Sequence, residues 1–319
     1  MPGGEGAVWT GAGRHVKVRR PGALTTVQDR GRPGLAHLGV GHSGALDADA
    51  HHLANRLVGN AEGAAVLETT VDGVSLVVGF DAVVAVTGAL APVTVDGRAV
   101  GWSLPAYVGA GQLVEVGRAQ RGIRNYVAIA GGVQVAAVLG SGSRDLLSGL
   151  GPPPLAAGDV LTIGPSPGPV TAVDLAPYAL PAERADLTIH LGPRHDWLTK
   201  AGIAALTAAS WSVSPASNRI ALRLEGPPVE RSRYDELASE GLVVGAVQSL
   251  PSGGLVVFLA DHPTTGGYPV VAVVDPDSLG ACAQARPGTV VRFRATGGGP
   301  GRSPRVRTAA LDSTSDGST

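Results

Sequence analysis

The sequence predicts a mainly β protein of two lobes, on three observations. Short valine-rich runs punctuated by Gly and Pro fill most of the chain. Between them, the regular helices of about 10 or more residues that a parallel α/β sheet needs are mostly missing. At 319 residues the chain exceeds a comfortable single core, which favours two domains.

In the first half the strand candidates are Val74 to Val78, Val83 to Thr87, Val93 to Val95, Leu113 to Val116, Tyr126 to Ala130 and Val160 to Ile163. Asp72-Gly73, Asp96-Gly97 and Ala110-Gly111 supply turn chemistry between them, the pattern of barrels or sandwiches. In the second half Leu187 to Leu191, Ile220 to Leu224, Leu255 to Ala260, Val270 to Val274 and Val290 to Phe293 repeat it. Three helices are expected. Asp47 can cap a segment running to Val58, with Ala50, Leu53, Ala54, Leu57 and Val58 on one face and Gly59 as its stop. Asp196 to Leu206 and Asp275 to Ala285 are the others, the last ended by Arg286-Pro287-Gly288.

The Pro-rich stretch Pro165 to Pro181 lacks periodicity and marks the linker. The division is residues 16–165 for the first lobe, 166–184 for the linker and 185–295 for the second. Residues 1–15 and the Gly/Ser-rich 296–319 read as disordered ends. Tyr126 to Gly132 and Phe258 to Gly267 each place a Gly pair past an apolar strand, an echo suggesting duplication.

Composition narrows the function classes. Hydrophobic residues at 44% and charged residues at 16% suit a well-buried globular chain. A net charge of −1 gives no steering toward nucleic acid or an anionic membrane. Cys282, the single cysteine, cannot form an internal disulfide, which fits a reducing cytoplasm. There is no signal-peptide pattern and no apolar run near the ~20 residues of a membrane helix.

Lys17 and Lys200 are the only lysines and neither lies in a phosphate-binding P-loop string. No His/Cys spacing resembles a metal site. His51 and His52 are adjacent on a helix and face different ways, reading as exposed polar residues. Gly39-Val-Gly41-His-Ser-Gly44 matches the dinucleotide glycine string but lacks its βαβ context. A Gly-rich loop entering a helix can still offer amides to an anion, with Ser43 as a donor.

The segment Ala260-Asp-His-Pro-Thr-Thr-Gly-Gly-Tyr-Pro269 is the leading site candidate. Asp261 follows an apolar strand, where strand ends expose chemistry, and Thr264, Thr265, Gly266, Gly267 and Tyr268 form a turn that a ligand can approach closely. A polar turn with no ligand is the competing reading. Glu225, Ser239, Glu240 and Gln248 form a nearby polar set, and Arg219 and Arg223 can pair with these carboxylates or grip a substrate carboxylate.

Taken in order, the motifs resemble a known family. They are Val18 to Gly34, Leu38 to Asp47, Leu53 to Asn60, Leu67-Glu68, Val86 to Ala89, Tyr126 to Gly132, Leu139 to Ser141, Gly192-Pro193, Ser239 to Gly241, Gly245 to Gln248 and Ala260 to Pro269. The resemblance is to the biotin-dependent carboxyltransferase-like group, which includes the 5-oxoprolinase C subunit, the second subunit of allophanate hydrolase and the carboxyltransferase half of urea amidolyase. It implies two cyclophilin-like β-barrel domains and, as partners, a B subunit of the same family with a further A subunit. It also implies ATP-dependent opening of a lactam, with Asp261 and Glu240 as catalytic candidates. Ser43, Asp47, Arg219, Arg223, Gln248, Thr264, Thr265, Gly266, Gly267 and Tyr268 are then the substrate-binding set, and no metal is expected. The chain departs from the family pattern at Gly41-His42, Gly142 and Asn218-Arg219-Ile220-Ala221. Two other readings are a carboxyltransferase component acting on urea or another amide, and a non-enzymatic regulator that binds a kinase inhibitor. Met1 is the only methionine, so the chain cannot itself carry biotin on the usual Met-Lys-Met site.

Overall fold

The computed structural model describes residues 13–166, 170 and 179–296. Most of the expected linker and almost all of both expected disordered ends lie outside the described residues. The mainly β class is borne out: strands dominate, and three α-helices occur among the described residues.

The first half carries a seven-stranded and a five-stranded sheet. Their facing sides share one apolar core, in which Val16, Leu76, Val78 and Val114 of one sheet meet Leu67, Val84, Val127 and Ile129 of the other. In the strand Arg121–Ile129, the period of two sends Val127 and Ile129 into this core. The same alternation sends Tyr126 and Ala128 to the opposite face, under Ala50, Leu53, Ala54 and Leu57 of helix α1, Ala48–Leu57. Asp47 caps α1 as expected, its carboxylate accepting from Ala50 N at 3.1 Å.

The second half closes into a seven-stranded barrel around Leu187, Ile189, Trp211, Leu222, Val257 and Phe293. Closure leaves no open strand edge. Two expected helices are shorter than the sequence suggests, because each begins with a 3-10 turn. His195–Trp197 precedes α2 (Lys200–Ala208), which Thr199 caps. Pro276–Ser278, capped by Asp275, precedes α3 (Leu279–Gln284). Thr199 caps α2 itself, whereas Asp275 caps the 3-10 turn and α3 follows without a side-chain cap of its own.

The barrel rim nearest the first lobe is built by pairing. Ala221–Glu225 runs antiparallel to Leu255–Phe258 with Ala221 opposite Phe258. The start of one strand therefore lies beside the end of the other, which brings Arg219 and Asp261 together; Asp261 N donates to Arg219 O at 3.2 Å.

Candidate functional site

The outer face of the five-stranded sheet sets up the site. Tyr126 lies opposite Glu68 in the antiparallel register, so both project to the face that receives α1 and, from the barrel, α3. Tyr126 Oη donates to Glu68 Oε2 at 2.9 Å and accepts from Asp47 N at 2.8 Å, while Leu46 N also reaches Glu68 Oε2 at 3.0 Å. Arg124 Nε stands 3.7 Å from Glu68 Oε1.

From the barrel, Arg219 closes the arrangement. Its Nε and Nη2 fork onto the two Asp261 oxygens at 3.0 and 3.1 Å, Nη2 also reaches Gly44 O at 2.7 Å, and Nη1 pairs with Glu68. Asp261 accepts further from Ser43 Oγ at 2.8 Å and Leu146 N at 3.0 Å. Gln284 of α3 completes the seam: its Oε1 accepts from Ile123 N and Arg124 N, both at 3.1 Å, and its Nε2 donates to Asp47 Oδ2 at 2.8 Å.

The polar side chains of this seam are all buried. Two carboxylates, Glu68 and Asp261, face two guanidinium groups, Arg219 and Arg124, so their formal charges cancel. Burial by itself would raise the Glu68 carboxyl, but the Arg219 and Arg124 charges outweigh it and hold Glu68 below the usual carboxylate range. Burial likewise opposes the charge on Arg219, yet Glu68 and Asp261 keep it more firmly protonated than a free arginine. These groups join the two halves of the molecule.

This geometry sorts the residues selected from sequence. Ser43, Asp47, Arg219 and Asp261 come together, but inside the seam. Ser43 holds a left-handed backbone (φ 53°), and its amide donates to Ala260 O at 2.9 Å. Its sealed hydroxyl, also 3.1 Å from Arg144 O, is a bracket between lobes. The amide-rich loop Gly39–Gly44 spends part of its donors internally, Gly39 N on Ala36 O and Val40 N on Leu35 O. Ser43 N goes to Ala260 O and Ala45 N to Asp29 O, while Leu46 N and Asp47 N go to Glu68 and Tyr126.

Arg223 and Glu225 alternate outward from Leu222 and Leu224 and are exposed, so neither joins Arg219; the expected polar set loses Glu225, and Ser239 is exposed as well. Glu240 sits apart in a two-stranded flap opposite Gly266 and takes a bidentate hydrogen-bonded pair from Arg194. Thr264 supplies its carbonyl to Leu242 N at 2.9 Å, and buried Gln248 donates to Tyr268 O at 2.9 Å. Thr265, Gly267 and Tyr268 are exposed along this flap. Gly266 is needed for close packing, since a Cβ there would come within 2.8 Å of Gln248 Nε2.

The structure also corrects the reading of His51, which is buried rather than exposed. Burial drives its imidazole down to about 4, and Ala64 O lies 3.0 Å from its Nε2. Near the departure at Gly142, the chain's own Asp29 accepts from Ser141 Oγ and Ser143 Oγ at 2.5 Å and Gly142 N at 2.7 Å. Burial would raise that carboxyl, but those hydroxyl and amide donors hold it below its usual range. A side chain at position 142 would press within 2.5 Å of Val135 Cγ2, so the departure to glycine is built into the packing. Cys282 is buried, and burial raises its thiol to about 12, leaving it unreactive. The described residues hold no group of three or more His, Cys, Asp or Glu placed to bind a metal.

The family model for the carboxyltransferase domain, subdomains A and B, matches residues 38–295. The chain belongs to this carboxyltransferase-domain family. Among its relatives, the 5-oxoprolinase C subunit of Escherichia coli K12 is 37% identical over 283 residues, covering 87% of this chain and 90% of that protein. Urea amidolyase of Saccharomyces cerevisiae is 31% identical over 304 residues, covering 87% of this chain but 16% of that much longer protein. The solved structure of TTHA0988 superposes with a TM-score of 0.81 at 35% identity, over 88% of this chain and 56% of that one. Urea amidolyase of Kluyveromyces lactis also gives 0.81, at 29% identity, over 89% of this chain and 19% of that one.

Within this carboxyltransferase-domain chain, sequence reasoning missed Arg124 and Gln284 entirely, noted His42 only as a departure from the family pattern, and read Glu68 and Tyr126 only as family motif. A lone Glu inside the apolar strand Val66–Thr70, and Arg124 spaced two from Tyr126, were the available signals. His42, next to Ser43, is exposed, and the His262 imidazole is lowered by its burial and, to a smaller degree, by His42.

Proposed function

We propose that this chain is the C subunit of an ATP-dependent 5-oxoprolinase, acting with partner subunits to open the lactam of 5-oxoproline to glutamate. The observation that carries this reading is the 37% identity with the 5-oxoprolinase C subunit of Escherichia coli, across 87% of this chain and 90% of that protein.

A lactam carbonyl is a weak electrophile, so its opening calls for activation of the oxygen, a water placed for attack and a proton for the leaving nitrogen. In this proposal the working surface takes three exposed residues, His42 of the first lobe and Thr265 and Tyr268 of the flap. His42 is the proton-transfer group, and the flap hydroxyls orient the substrate. Asp261 and Arg219 are positioning residues that hold Ser43, and with it His42, in place. Glu240 and Arg194 set the flap. The Gly39, Val40 and Ser43 amides are already bonded within the chain, which leaves this loop only part of a phosphate cradle. Nucleotide binding is therefore assigned to the partner chains.

The test is co-expression with the neighbouring B and A subunits, followed by measurement of 5-oxoproline-dependent ATP hydrolysis and glutamate release. Turnover that disappears when this chain is omitted supports the proposal. A complex silent toward 5-oxoproline but transferring carboxyl from biotin to urea would replace it with the second reading. That reading draws on the urea amidolyase likeness and requires a separate biotin carrier.

A further inference from the structure

We infer that the crevice beside Gln284 binds a small oxyanion, a carboxylate or phosphoryl group, through Arg121, Arg286 and Thr289. A cavity of about 310 Å³ opens where the start of the strand Arg121–Ile129, the turn after α3 and the entry to the second lobe meet; Arg121, Glu183, Gln284, Arg286 and Thr289 are among its lining. That volume is in the range of small-molecule sites.

Donors gather there, and one of them lacks an acceptor. Arg121 Nε is closed off from solvent and has no hydrogen-bond partner. Arg286 uses Nη1 on Gln120 O at 3.1 Å, and neither arginine joins an ion pair among the described residues. Thr289 Oγ1 accepts from Arg286 N at 3.1 Å, which leaves its hydroxyl hydrogen to donate. A guanidinium nitrogen withdrawn from water without an acceptor is costly, and a planar oxyanion held between the half-buried Arg121 and Arg286 guanidinium groups offsets that cost. The lining acid, Glu183, is exposed at the mouth, so the interior favours negative charge.

The site is also wired to the seam. Its wall, Gln284, bonds Asp47, Ile123 and Arg124 across the two halves. An occupant therefore braces the lobe junction, and binding to the folded state raises the unfolding temperature by mass action.

The experiment uses the full chain, with sodium phosphate and sodium succinate as separate probes at constant ionic strength, read by calorimetric titration and thermal unfolding. Saturable binding of either probe is expected, with a parallel rise in unfolding temperature. Phosphate alone would mark a phosphoryl ligand, and succinate alone a carboxylate ligand. The double variant Arg121→Ala/Arg286→Ala should weaken binding by about tenfold or more, the worth of a lost charged hydrogen bond. Glu183→Gln, at the exposed mouth and harmless to folding, should tighten it. The inference is overturned if neither probe saturates, or if the arginine double variant binds as the unaltered chain does.

Discussion

Asp261 and Glu240, two carboxylates of the second lobe, each meet one arginine through a fork of hydrogen bonds. Asp261 with Arg219 is sealed from water and tied to the first lobe through Ser43, Gly44 and Glu68. Glu240 with Arg194 sits on a partly exposed two-stranded flap and contacts nothing in the first lobe among the described hydrogen bonds. The chemistry of the two pairs is the same, and the solvent is not. In water an ion pair gains little over two hydrated ions, whereas a buried pair punishes the loss of either member. The buried pair therefore fixes how the lobes meet, while the exposed one is free to shift with whatever approaches the flap.

The largest break in this comparison comes from Arg219→Ala. It strands two buried carboxylates, Glu68 and Asp261, and should cost about 3–5 kcal/mol of stability, read as a lower urea midpoint. Asp261→Ala should fall toward the same range, and its loss of activity should follow from the disturbed seam; activity lost at undiminished stability would return Asp261 to a direct chemical role.

His42→Ala separates catalysis from packing. If His42 carries proton transfer, turnover of the assembled complex drops by about 10²- to 10⁴-fold with the unfolding curve unchanged.

Acid should find the buried groups before it finds the flap. His51 has its imidazole lowered from 6.5 to about 4, so between those values the unfolded chain takes up a proton that the folded chain refuses. Stability is then full above 6.5, falls by at most about 1.4 kcal/mol per pH unit toward 4, and levels below it. His51→Gln should flatten that window. Glu68, also depressed, contributes stability that is complete above the ordinary carboxylate value of 4.5 and is lost as pH falls through its lower folded value. A stability profile flat from pH 7 to about 4 would contradict the His51 assignment.

The smallest effect belongs to Glu240→Gln, for which no shift in the urea midpoint is expected. A clear destabilisation there would erase the distinction between the two pairs.

Much of the architecture was legible from sequence because it depends on local rules. Valine-rich alternation and Asp-Gly turns located the strands, and Asp47 followed by an apolar stripe located α1. The two later helices were overextended because each expected start is a 3-10 turn, a tightening that residue spacing does not reveal. At the site, Ser43, Arg219 and Asp261 were rightly grouped across 218 positions of sequence. Their burial was not legible, since alternation says which way a side chain points and not whether a second lobe covers it. Arg223 shows the same limit from the other side: four residues from Arg219, it faces solvent because it lies on the outward parity of a barrel strand.

The sequence by itself determined the β-rich class, the ordered motifs of the family and the lack of a Met-Lys-Met string, because composition, periodicity and motif order are properties of the chain alone. Only the tertiary structure decided that the Ala260–Pro269 segment has two roles, with Asp261 locked into an interlobe seam and Thr265 and Tyr268 left at the surface. The physical reason is dielectric: neighbouring residues differ in function according to how much water remains around them, and water is excluded by the fold as a whole.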